Sequence, residues 1–100
     1  MRKIQTYILT RRDKVLAREL VTAYTRDNII CFHRDAFNKN RWKLTDIFSG
    51  LSDGKEYKSR EDALVQYCDE EWHYKVLNAC KKLNKSIMEY PVHISTTEVK

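Results

Sequence analysis

The segment Ser59-Arg-Glu-Asp-Ala-Leu-Val-Gln-Tyr-Cys-Asp-Glu-Glu-Trp-His-Tyr-Lys-Val-Leu-Asn-Ala-Cys-Lys-Lys-Leu-Asn84 decides the fold class, because it carries the clearest helical signal in the chain. Ser59 followed by Asp62 approximates a capping box, Glu61 and Asp62 lie in the first turn, and Lys81, Lys82 and Lys85 lie near the far end, all of which suit the helix dipole. Helical spacing predicts one helix over 60–84 with Val65, Cys68, Trp72, Val76, Ala79 and Leu83 on its core face. Tyr67, Tyr74 and Leu77, with Ala63, fall on nearly the opposite side as a second apolar stripe. A sheet can cover only one of the two.

Upstream of this helix the pattern changes to alternation. Lys3 to Arg11 places Ile4, Thr6 and Ile8 on one side and Tyr7 and Leu9 on the other, as a strand covered on both faces does. Arg11-Arg12-Asp13-Lys14 reads as a polar turn. The next segment, 14–37, is open between strand and helix. Leu20 to Thr25 favours a hairpin strand, and Thr25-Arg-Asp-Asn suits either a cap for a short helix over Ile29 to Phe37 or the approach to a buried strand Ile29 to Phe32. After the polar loop Asn38 to Arg41, Trp42 to Phe48 alternates as a strand. Ser49-Gly50 and Ser52-Asp53-Gly54 are turns, and Lys55 to Lys58 a short extended piece.

The expected fold is therefore α+β: a small antiparallel sheet of three or four strands packed by one long helix in the C-terminal half, with Trp42 and Trp72 in its core. Residues 1–86 form one domain, and 87–100, with Tyr90-Pro-Val-His-Ile94, form an extended arm that frays toward its end. With 100 residues, 42% of them hydrophobic and eleven aromatic, the chain can bury one modest core. No apolar run approaches the ~20 residues of a membrane span, and Met1-Arg2-Lys3 does not begin a signal peptide. The expected location is the cytoplasm, the host's own if the chain is phage-encoded, with no membrane partner.

Charge is unevenly distributed, with eleven Lys/Arg against five Asp/Glu in the first fifty residues and eight against nine in the last fifty. The basic half carries the nucleic-acid candidates Arg11, Arg12, Lys39, Arg41, Trp42 and Lys43, a set that combines phosphate-neutralising cations with a ring able to stack on a base. No sequence-specific RNA- or DNA-reading motif accompanies them. The acidic half carries the protein-binding candidates Tyr67, Glu70, Glu71, Tyr74 and Leu77, aromatics ringed by charge of the kind found at interface hot spots, which also suggest a homodimer contact.

Catalytic and metal readings are weaker. Cys31, Cys68 and Cys80 lack the close-pair spacing of structural zinc ligands, and Cys31, His33 and Asp35 are neighbours in sequence where catalytic partners normally converge from distant segments. No metal, no cofactor and no enzymatic activity are expected.

Trp42-Lys-Leu-Thr-Asp-Ile-Phe-Ser-Gly50, followed by Lys58-Ser-Arg-Glu-Asp-Ala63, resembles a pattern of very small phage and mobile-element proteins, in which a Trp-x-(Val/Leu)-Thr strand runs through a Gly turn to a capped helix. The resemblance covers residues 42–63. It implies a non-enzymatic accessory protein that binds and inhibits a host protein or ribonucleoprotein, such as a CRISPR effector nuclease, as anti-CRISPR proteins do. A net charge of +5 argues against whole-surface DNA mimicry and leaves local blocking or allosteric inhibition. The alternative is a nonspecific nucleic-acid-binding module on the basic strands.

Overall fold

The computed structural model describes residues 1–92 and has the α+β architecture expected. Strands β1 (Arg2–Arg12), β2 (Val15–Thr25), β3 (Ile30–Arg34) and β4 (Trp42–Asp46) form an antiparallel sheet in the order β1-β2-β3-β4. Helices α1 (Arg60–Tyr67) and α2 (Glu70–Leu83) and a 3₁₀ turn at Ile87–Glu89 follow.

The open segment 14–37 is strand. β1 and β2 pair along their full length, Arg2 opposite Thr25 and Arg12 opposite Val15, around a two-residue turn in which Asp13 and Lys14 both have positive φ. That turn matches the twist of a hairpin. The hairpin buries Ile8 and Thr10 of β1 and Ala17, Ala23 and Thr25 of β2. No helix forms over 29–37, because side chains capture the Thr25–Ile30 backbone in a turn. The Thr25 hydroxyl donates to the Ile30 carbonyl and accepts the Asn28 N–H, while Asp27 Oδ1 accepts the N–H groups of Ile29 and Ile30. Such local bonds compete directly with helix.

β3 is buried on both faces. Ile30 and Phe32 join Leu44, Ala63 and Tyr67 in the core between sheet and helices, and Cys31 and His33 occupy the other face. Trp42 and Trp72 both pack against this core, as expected. Beyond β4 the chain folds back along it, with Trp42 and Tyr57 exchanging both backbone bonds at 2.8 Å.

The single helix predicted over 60–84 is two helices. Ser59 caps α1 by accepting the Asp62 N–H at 3.1 Å, but Asp69 then accepts the N–H groups of Glu71 and Trp72 at 3.0 and 3.2 Å and opens α2 as a fresh N-cap. This restart resets the helical phase. Val65 is 75% exposed and Cys68 and Leu83 are exposed, whereas α1 buries Ala63 and Tyr67, which belonged to the predicted outer stripe.

The start of the expected arm is tied to the sheet. Ile87 is buried and donates its N–H to the Phe48 carbonyl at 2.8 Å, and Arg18 donates its N–H to the Pro91 carbonyl at 2.8 Å. The rest of the arm, 93–100 with His93 and Ile94, lies outside the described residues.

Candidate nucleic-acid interface

β2 and β3 share only two ladder pairs, Tyr24 with Phe32 and Thr25 with Cys31, and diverge beyond them. Between them opens a recess of about 1030 Å³, lined by Leu20, Val21 and Thr22 of β2, by Arg34, Asp35, Ala36, Lys39 and Asn40, and by Lys58 to Glu61 at the start of α1. Two of its lining rings, Tyr24 and Trp42, flank the fully buried Phe32 in a row across three strands. Tyr24 and Phe32 stack at 5.6 Å between centroids, and Phe32 and Trp42 lie 5.8 Å apart.

Guanidinium groups lie over this row. Arg34, opposite Trp42 in the β3–β4 ladder, has its Cζ 4.9 Å from the Trp42 ring centre. Arg60, the first residue of α1, sits 5.3 Å from the Tyr24 ring centre and 5.7 Å from that of Phe32. An aromatic face attracts a cation through its quadrupole and fixes a side chain that would otherwise wander. Arg34 is held further by donating to the Lys39 carbonyl at 2.7 Å.

Lys39 and Lys58 complete the positive lining. Among the described residues, Arg34, Lys39, Lys58 and Arg60 make no ion pair. Arg12 also lines the recess, but Glu19 grips it with two bonds of 3.0 and 3.1 Å and its guanidinium lies 4.6 Å above Phe37. Its charge is already balanced. Of the other lining acids, Asp35 is nearly buried and spends one carboxylate oxygen on the N–H groups of Phe37 and Asn38, and Glu61 stands exposed in the first turn of α1, one negative charge against the four cations.

The structure thus divides the sequence-predicted basic set. Arg12, Lys39 and Trp42 line this recess, while Arg11 and Lys43 line a second cleft of about 280 Å³ together with His33 and Thr45. Alternation along β4 separates Trp42 from Lys43. Arg41 lines neither; its backbone N–H and carbonyl tie down the 35–41 loop. Arg34, Lys58 and Arg60 were missed. Register places Arg34 opposite Trp42, and register depends on turns that the sequence leaves open.

The protein-binding set is also divided. Tyr67 is 3% exposed, so it is a core residue and not part of an outward stripe. Its hydroxyl accepts the Arg26 N–H at 3.0 Å and lies 2.9 Å from both Asp27 Oδ1 and the Ile30 carbonyl, to which it can donate. Leu77 packs against the core, leaving Tyr74 at 70% exposed with Glu70 and Glu71 on the surface of α2. The homodimer seam expected from Tyr67, Tyr74 and Leu77 is therefore not assembled on one face.

Asp27 joins the β2–β3 turn to the helices. Partial burial pushes its carboxyl pKa up, but the N–H groups of Ile29 and Ile30, the Tyr67 hydroxyl and nearby His73 together hold it below the usual carboxylate value.

Cys31, His33 and Asp35 make no hydrogen bond to one another among the described residues. Burial, with the Asp46 and Asp27 carboxylates adding to it, pushes the Cys31 thiol up to about 12, so it stays protonated at neutral pH. His33 bridges the Arg34 carbonyl at 2.8 Å through Nδ1 and the Thr45 hydroxyl at 2.7 Å through Nε2. In the neutral ring that burial favours, Nδ1 donates to the carbonyl and Nε2 accepts from the hydroxyl. Burial lowers its pKa from the ordinary 6.5, against the opposing effect of the Arg34 carbonyl.

A His with a depressed native pKa stabilises the fold above its unfolded pKa and loses that contribution as pH falls below about 6.5. The melting temperature should drop between pH 7.5 and 5.5, and His33→Gln should flatten that drop. An identical pH profile in the variant would contradict the neutral, buried assignment.

Among the described residues no group of three His, Cys, Asp or Glu side chains converges as a metal site would require, and no helix is long and apolar enough to cross a membrane. No protein-family model matches the chain, and no match is found among curated proteins or solved structures.

Proposed function

We propose that this protein is a nucleic-acid-binding module that holds a phosphate backbone in the recess between β2 and β3. The observation that carries this reading is the set of four cations, Arg34, Lys39, Lys58 and Arg60, that make no ion pair among the described residues and gather around one recess, two of them seated on aromatic rings. Holding like charges together costs energy in the free protein. A phosphate chain relieves that repulsion and releases its own counterions, which supplies affinity without sequence readout.

The test is the salt dependence of binding to labelled DNA, measured by fluorescence anisotropy. Each neutralised phosphate contributes about 0.7 to 0.9 to the slope of log affinity against log salt, so four contacts give a slope of about −3. Arg34→Ala with Arg60→Ala should weaken binding and reduce the slope by about 1.5. Arg11→Ala with Lys43→Ala, on the other cleft, should leave both nearly unchanged. Absence of a complex at ~50 mM salt, or equal losses from the two double variants, would refute the assignment.

A stoichiometric protein binder, as the resemblance to phage accessory proteins suggests, is supported by a different observation: Tyr74 stands exposed on α2 with Glu70 and Glu71. The same variants separate the two readings, because inhibition of a host nuclease through α2 is lost in Tyr74→Ala and retained in Arg34→Ala with Arg60→Ala.

A further inference from the structure

Resting on the nucleic-acid reading, we infer that the recess takes unpaired nucleic acid, with bases stacked on the guanidinium planes of Arg34 and Arg60 and not on the aromatic rings beneath them. Each ring that could serve as a platform already carries a cation: Arg34 over Trp42 at 4.9 Å, and Arg60 over Tyr24 at 5.3 Å. Trp42 and Tyr24 are themselves half-buried, whereas Arg34 and Arg60 are exposed. The stacking surface that the recess offers to a ligand is therefore guanidinium. Such a group is planar, weakly hydrated and always charged, so it can stack on a base while drawing a phosphate. A base presents its flat face only when it is out of a duplex stack.

The two platforms are held in place before a ligand arrives. Arg34 is held by the Lys39 carbonyl at 2.7 Å and by the Trp42 ring opposite it, and Arg60 by its seat 5.3 Å from the Tyr24 ring centre and 5.7 Å from that of Phe32. Pre-ordering of this kind lowers the cost of binding. Phe32 separates the two seating rings, 5.6 Å from Tyr24 and 5.8 Å from Trp42, which leaves room for neighbouring nucleotides of an extended strand. The recess also opens between two strands that share only two ladder pairs, with Tyr24 and Trp42 both in its lining. Lys39 and Lys58, also in its lining, supply the further cations that a phosphate chain would meet.

Replacing Arg with Lys keeps the charge and removes the plane, so it separates stacking from electrostatics. A single strand of roughly 12 nucleotides, within the site sizes of small single-strand binders, is compared with its duplex against the parent chain, Arg34→Lys, Arg60→Lys and the double variant. The expected result is single-strand affinity at least ~10-fold above duplex, an approximately tenfold loss for each Lys substitution on the single strand, and an unchanged salt slope. Duplex affinity should not respond. Equal affinity for strand and duplex, or a double Lys variant that binds the strand as the parent does, overturns the stacking inference while leaving salt-dependent binding in place. A parent chain that binds no DNA, or binds polyglutamate as tightly as DNA, overturns the functional reading as well. Should Arg34→Lys lower the melting temperature through its bond to Lys39, Arg60→Lys alone carries the comparison.

Discussion

Tyr67→Ala is expected to destabilise the protein by about 3–5 kcal/mol, lowering the melting temperature by more than ~12 °C, a large part of the stability of a 100-residue domain. The ring fills the core between α1 and β3 and meets Phe32 edge-on at 6.0 Å. The hydroxyl adds a second role, since it satisfies the Arg26 N–H and reaches Asp27 and the Ile30 carbonyl across the β2–β3 turn. Tyr67→Phe keeps the ring and should cost about 1–3 kcal/mol, the range for leaving buried polar groups without a partner. Tyr74→Ala, on the exposed face of α2, should change stability by less than ~0.5 kcal/mol. Thermal denaturation of the three variants decides the matter, and a Tyr67→Ala protein that melts with the parent would contradict the packing described.

Gly50→Ala should be nearly as damaging, at about 2–4 kcal/mol from left-handed strain and overpacking together. Gly50 has φ +74, and a Cβ there would overlap Ile87 Cδ1, stand 2.9 Å from Ile87 Cγ1 and lie 3.1 Å from the backbone nitrogen of Leu9. That nitrogen is bonded to the Gly50 carbonyl, so the contact cannot open without losing a link between β1 and the turn after β4. Ile87→Ala in the same chain should recover part of the loss by vacating the space. Gly54→Ala is the matched control, since its φ is +82 but nothing stands within 4 Å of the added carbon. It should cost only the strain, about 1–2 kcal/mol. Equal destabilisation by the two alanines would show that Ile87 does not press on Gly50.

Alternation and capping made the α+β class legible, because strands at 3–11 and 42–48 and a helix starting at Ser59 each follow from side-chain chemistry of their own neighbourhood. Asp69 was the residue that misled. On a continuous helical pattern it reads as one more surface acid, yet its carboxylate restarts the helix, and one shifted phase moves Tyr67 from the surface to the core. Asp27 misled in the same way, its short side chain fitting a helix cap and a turn equally well until tertiary packing against Tyr67 selected the turn. For the recess, Trp42 and Lys39 were visible as a basic and aromatic pair. Arg34 and Arg60 were not, since their roles arise from a cross-strand register and from α1 docking over Tyr24 and Phe32.

The most direct test of the central claim is a two-dimensional ¹⁵N NMR titration with short single-stranded DNA, because the two indole N–H groups report from different places: Trp42 lines the recess, and Trp72 packs on the core from α2. The account predicts that the Trp42 indole and the Lys58 to Glu61 backbone shift progressively with added DNA while Trp72 and the α2 surface at Tyr74 stay in place. Shifts confined to Arg11 and Lys43, or to α2, would contradict it.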